Sequence, residues 1–213
     1  MAPSYKLLYF NFTGRGEPLR LLLAYGGIPF EDNRFEWDDW PKIKPTTPIG
    51  QVPVLEIDGV KYTQTTPLCR YLARVLKLDG KDMLEDLAIE TAVEMLWDIL
   101  KTAYERKFEP EEERKKQILD KLHGQMTVLL GKLDEDTKKN GYIALNRITW
   151  ADLIFLCVYE DLQNFLAGED PFKKYPNLEN LKNKLLKNKN LQEYLLKRPS
   201  NTVNTAYDLK SDI

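Results

Sequence analysis

The residue best placed to do chemistry in this chain is a tyrosine at the end of its first apolar run. The run Tyr5-Lys6-Leu7-Leu8-Tyr9-Phe10 stops at Asn11, and the turn Gly14-Arg15-Gly16-Glu17-Pro18 then opens a helix. A phenol at such a strand-to-helix junction can point at a ligand in the crevice beyond the strand ends. With a pKa of about 10, it donates a hydrogen bond to an anion without losing its proton. Most other chemistries lack their residues. Serine occurs only at Ser4, Ser200 and Ser211, so no serine nucleophile elbow exists. His123 is the sole histidine and lies mid-helix among surface charges, which leaves no multi-histidine metal site. No Cys-x-x-Cys dithiol, phosphate loop or dinucleotide fingerprint is present. What remains is an enzyme that activates something it borrows, or no enzyme at all.

Three further groups point to what is borrowed. Gln64-Thr65 stands where a return strand meets the next helix, and a helix N-terminus with an amide and a hydroxyl is a natural carboxylate site. In the loop ahead, Lys44 by charge and Trp40 by its N–H suit a second carboxylate. Pro53 opens a strand after Val52; a cis bond there would turn the Val52 N–H and C=O sideways for pairing with an extended peptide. On the residues alone, a trans proline opening an edge strand is the better reading. A ligand with two carboxylates, a peptide middle and a thiol fits these groups, and that ligand is glutathione.

The elements that must position these residues read as two textures. Over the first 78 or so residues the pattern predicts strand 6–10, helix 16–26, strand 30–35, a loop punctuated by Trp and Pro, strand 52–57, a turn at Asp58-Gly59 and return strand 60–63. Thr65 or Thr66 then caps a helix with Leu68, Leu72, Val75 and Leu76 on its apolar stripe. From about 82 the period is helical: helices 84–107 and 111–139, an apolar stretch 153–159 behind the capping-box sequence Thr149-Trp150-Ala151-Asp152, and shorter helices 178–187 and 191–197. The prediction is an α/β domain over 1–79, an all-helical domain over 82–200 and a polar tail over 201–213.

Composition bounds the partners. The 213 residues carry Lys+Arg 31 against Asp+Glu 33, so no global charge favours nucleic acid or membrane. The lysine-rich segment 173–198 reads as a solvated helix face. Cys69 and Cys157 lie in apolar helical patterns and suit a reducing compartment, and with no apolar signal region the expected location is cytoplasmic.

The chain resembles the cytosolic glutathione transferases, most closely the sigma class, over residues 1–200. The motifs are Tyr9-Phe10-Asn11 with Gly14-Arg15-Gly16-Glu17-Pro18, Asp39-Trp40-Pro41 followed by Lys44, Gly50-Gln51-Val52-Pro53-Val54-Leu55, Gln64-Thr65, and Thr149-Trp150-Ala151-Asp152. The resemblance implies a thioredoxin-like N-terminal domain, an all-helical C-terminal domain, a homodimer and a cis bond before Pro53. It implies that Tyr9 is catalytic, that Arg15 sits beside it, and that Trp40, Lys44, Gly50, Gln51, Val52, Pro53, Gln64 and Thr65 bind glutathione. Asp98 matches an acid that reaches glutathione from the partner subunit. Thr65 stands where the family usually has Ser, and keeps the hydroxyl. In Glu94-Met95-Leu96-Trp97-Asp98 a Trp replaces one acid of a cation-binding cluster found in the prostaglandin D synthase branch, so no metal is expected.

The resemblance implies conjugation of the glutathione thiolate to small apolar electrophiles, or reduction of lipid hydroperoxides. Glutathione-dependent prostaglandin D isomerisation and a non-enzymatic crystallin or ligand-binding role are the alternatives. The short connection Phe108-Glu109-Pro110-Glu111 favours an enzyme, because the lens crystallins of this fold typically carry an insertion there. The electrophile pocket is expected around Phe12, Thr13 and helix 95–107, with Thr202 to Tyr207 closing it.

Overall fold

A computed structural model describes residues 3–166 and 168–199; the predicted 201–213 tail, including Thr202 to Tyr207, lies outside them. In chain order the elements are β1 (Tyr5–Phe10), α1 (Glu17–Tyr25), β2 (Glu31–Phe35), α2 (Trp40–Ile43), β3 (Val54–Ile57), β4 (Val60–Thr63), α3 (Thr65–Leu76), α4 (Met83–Phe108), α5 (Glu112–Asn140), α6 (Trp150–Phe165), α7 (Pro176–Leu185) and α8 (Lys189–Lys197). They divide into two compact units: one takes the chain to Leu76 together with the segment from Asn188, the other runs from Lys77 to Lys187.

The first unit is built on a four-stranded sheet in the order β2-β1-β3-β4. β1 pairs parallel with β2 and antiparallel with β3, and β3 pairs antiparallel with β4. The parallel pair requires a crossover, which α1 supplies. Leu7 and Leu55, partners across the β1–β3 ladder, are fully buried, as are Leu19, Leu22 and Leu23 of α1. β3 begins at Val54 rather than at the predicted 52, because Pro53 has no N–H for the ladder; the Val52–Pro53 bond is cis. The loop predicted over 37–48 contains α2 between single 3-10 turns at Trp37–Asp39 and Lys44–Thr46.

Within the first unit α8 packs on α1, and the Asn190 side-chain amide donates to the Tyr25 carbonyl at 3.4 Å.

In the second unit, α4 packs against α5 and α6, and α5 against α7. Asp82 caps α4 by accepting the N–H groups of Leu84 and Glu85, both at 2.9 Å. α5 stops at Gly141, whose φ of 78° is the left-handed conformation that ends helices cheaply in glycine. α6 is buried nearly all round, as its unbroken apolar run predicts. Its capping box is present: Asp152 accepts from the Thr149 N–H at 2.7 Å and from the Thr149 hydroxyl at 3.1 Å. The same carboxylate accepts the Ile143 N–H at 3.0 Å and thereby ties down the α5–α6 connection. No described helix is long and apolar enough to cross a membrane.

Candidate functional site

Tyr9 leaves the sheet on the buried side of β1, only 5% exposed, with Phe10 and Phe12 meeting its ring edge-on at 5.7 and 5.5 Å. Its hydroxyl oxygen accepts the main-chain N–H of Arg15 at 2.9 Å. A phenol that accepts one N–H bond can still donate its own proton, and the same N–H would stabilise negative charge on the oxygen. The glycines on either side of Arg15 make this approach possible. A Cβ on Gly16 would lie 2.5 Å from two carbons of the Tyr9 ring, and one on Gly14, whose φ is +44°, would lie 2.6 Å from the hydroxyl.

Arg15 also borders a cleft of about 280 Å³ whose walls include Gln51, Val52, Pro53, Gln64 and Thr65. The buried Thr65 hydroxyl donates to the Arg15 carbonyl at 3.1 Å, so one residue joins the phenol's turn to the head of α3. Gln64 and Gln51 meet through their side-chain amides at 3.4 Å. Gln64 has a φ of 75°, a conformation that costs a non-glycine residue on the order of 1 kcal/mol. Such strain concentrates where a side chain must be presented to a ligand.

The remaining predicted residues fall outside this cleft's lining. Trp40 is half-buried and stacks on Phe35 at 5.8 Å, and Lys44 is an exposed residue beside Gly50, whose φ is +67°. Asp98 is exposed on α4, in the second unit. Trp97 beside it is buried, and among the described residues no three His, Cys, Asp or Glu side chains gather as metal ligands. His123 pairs with Glu169 at 3.0 Å. Cys69 and Cys157 are buried, and burial pushes the Cys69 thiol well above its ordinary pKa. A thiol so held is a poor nucleophile.

Sequence reasoning missed a buried ionic group behind Tyr9. Glu17 and Arg20 are both fully buried, and the Arg20 guanidinium lies 5.6 Å from the centre of the Tyr9 ring. The one sequence signal was a charge within the apolar run Leu19-Arg20-Leu21-Leu22-Leu23.

Residues 5–74 match the family model described as glutathione S-transferase, N-terminal domain, and residues 94–198 match glutathione S-transferase, C-terminal domain. A glutathione S-transferase of Anopheles gambiae is 40% identical over 200 residues, covering 92% of this chain and 98% of its own. The solved prostaglandin synthase D of Nilaparvata lugens superposes with a TM-score of 0.86 at 37% identity, covering 92% of this chain and 99% of its own. A sigma class glutathione S-transferase of Fasciola hepatica gives 0.79 at 31%, covering 93% and 98%. With both family models matched and such likeness running along nearly its whole length, the chain belongs to the glutathione S-transferase family.

Proposed function

We propose that this protein is a sigma-class glutathione transferase that conjugates the glutathione thiolate to small apolar electrophiles. The observation that carries the reading is the main-chain N–H of Arg15 on the Tyr9 hydroxyl, in the residue that also borders the cleft. Gln64 and Thr65, at the head of α3, hold the γ-glutamyl carboxylate, Val52 pairs with the peptide middle beside Gly50, Gln51 and Pro53, and Trp40 and Lys44 take the glycyl carboxylate. Asp98 approaches the glutathione of the partner subunit in a homodimer. The dimer is supported by an apolar cleft of about 510 Å³ bordered by Tyr62, Pro67, Leu68 and Tyr71. Two buried cysteines accord with a cytosolic setting.

The energetics are adequate. A thiol of pKa about 8.5 is only a few per cent ionised at neutral pH, and the thiolate is the nucleophile. Lowering that pKa by ~2 units requires about 2.7 kcal/mol of preference for the anion. One hydrogen bond to a charged partner supplies roughly 1.5–3 kcal/mol, so Tyr9 provides most of it. The Arg15 N–H polarises the phenol, and the N-terminus of α1 adds a favourable field. The thiolate then attacks the electrophilic carbon, with no acid–base shuttle.

Retention on immobilised glutathione followed by turnover of chlorodinitrobenzene tests the reading. Failure on both counts overturns it, and retention without turnover favours a crystallin or ligand-binding role. The Nilaparvata lugens likeness favours a second reading, glutathione-dependent prostaglandin D isomerisation. Prostaglandin H2 in the substrate panel, beside lipid hydroperoxides, decides that point.

Two substitutions probe the site. Gly16→Ala forces the Tyr9 ring to move, and an ångström of displacement costs up to ~10²-fold, so kcat should fall at least ~10-fold. An unchanged kcat would show that the phenol's position is immaterial. Gln64→Gly relieves the left-handed backbone and removes the amide. Stability should rise by about 1 kcal/mol while the KM for glutathione rises ~10-fold. A variant that gains stability without losing affinity takes Gln64 out of the site.

A further inference from the structure

We infer that α8 and the residue that ends it position the phenol: Tyr194 and Arg198 hold buried Glu17, which holds Arg20, which fixes the segment carrying Tyr9. The chain of contacts is continuous and lies within the first unit. Glu17 is buried to 0% exposure at the start of α1, where its carboxylate takes three donors: the Tyr194 hydroxyl at 2.9 Å and Arg198 Nη1 at 2.6 Å on one oxygen, Arg20 Nη1 at 3.2 Å on the other. A buried carboxylate survives only with such compensation, so the contribution from α8 is required and not ornamental.

Arg20, equally buried, divides its donors between ions and the main chain. Nε binds Asp32 at 3.0 Å, Nη1 the Phe12 carbonyl at 2.8 Å and Nη2 the Phe10 carbonyl at 3.1 Å. Those two carbonyls bracket the turn through which the chain leaves β1, one residue beyond Tyr9, and the guanidinium sits 5.6 Å from the Tyr9 ring centre. Arg34 closes the loop: it binds Asp32 at 2.7 Å and the Tyr194 hydroxyl at 3.3 Å. Planar guanidinium forks hold such geometry where a lysine's point charge would not. Tyr194 and Arg198 are thus positioning residues, since each reaches the phenol through other residues: both through Glu17 and Arg20, and Tyr194 also through Arg34.

The inference rests on the glutathione reading for its kinetic arms, and one arm is independent of it. Arg198→Met and Tyr194→Phe should each lower kcat ~10-fold with KM for glutathione unchanged, and should raise the apparent pKa of the bound thiol in ultraviolet titration of the thiolate. Arg198→Lys should restore part of the loss. In a Tyr9→Phe background, neither substitution should cause further loss, since the residue they act through is gone. The independent arm uses ring-labelled tyrosine in ligand-free protein: the Tyr9 resonance, assigned by its disappearance in Tyr9→Phe, should shift in Tyr194→Phe and in Arg198→Met. An unmoved Tyr9 signal, or losses that simply add to those of Tyr9→Phe, overturns the inference. A wild type that ignores glutathione while the Tyr9 signal responds to both variants sinks the function and leaves the positioning intact.

Discussion

Tyr9→Phe lowers kcat for conjugation by ~10- to 100-fold and leaves the KM for glutathione nearly unchanged. On the proposed mechanism the hydroxyl, held by the N–H of cleft-lining Arg15, is the group that meets the sulfur as it becomes an anion. Its ring is buried between Phe10, Phe12 and the two glycines, so phenylalanine refills the same space and the fold is unaffected. What disappears is one charge-assisted hydrogen bond, and its loss raises the pKa of the bound thiol toward the free value. The pH–rate profile must therefore move to higher pH in the variant. Full turnover with an unchanged thiol pKa removes Tyr9 from catalysis.

Asp152→Ala destabilises the protein by about 4 kcal/mol in denaturant unfolding, a large part of the stability a domain possesses. The carboxylate is fully buried and satisfies the N–H groups of Ile143 and Thr149 and the Thr149 hydroxyl. Deleting it strands two main-chain donors where water cannot reach, at ~1–3 kcal/mol each, and removes the α6 cap. Burial outweighs these hydrogen bonds and pushes the Asp152 pKa up to about 6. The folded state therefore holds a proton that the unfolded chain, with a pKa near 3.9, gives up. This contribution is complete below about pH 4 and is lost as pH rises through about 6. Asp152→Asn does not titrate, so the stability of the wild type relative to it should fall by up to about 3 kcal/mol across that window. A difference that instead grows with pH means the hydrogen bonds outweigh burial.

Much of the fold was legible because local patterns and tertiary demands agree. The alternation in Tyr5–Phe10, the proline in the first turn of α1, the Asp58-Gly59 turn and the capping box at Thr149 all name their elements by local chemistry. The short helix Trp40–Ile43 was not foreseen, since four residues carry no readable period. The attachment of α8 to α1 was missed for a different reason: it depends on a tyrosine and an arginine far along the chain meeting a glutamate they cannot announce. Within the candidate site, Tyr9, Gln64 and Thr65 stood out by type and position, whereas Gln51 entered only through the family resemblance. The resemblance places Arg15 beside Tyr9, yet the hydrogen bond that joins them comes from the Arg15 backbone, which side-chain identity does not reveal.

That last contact has a consequence for inheritance. Because the amide of residue 15 belongs to every amino acid except proline, nearly any codon change there preserves the grip on the tyrosine oxygen. Arg15→Pro is the single replacement that deletes the donor outright.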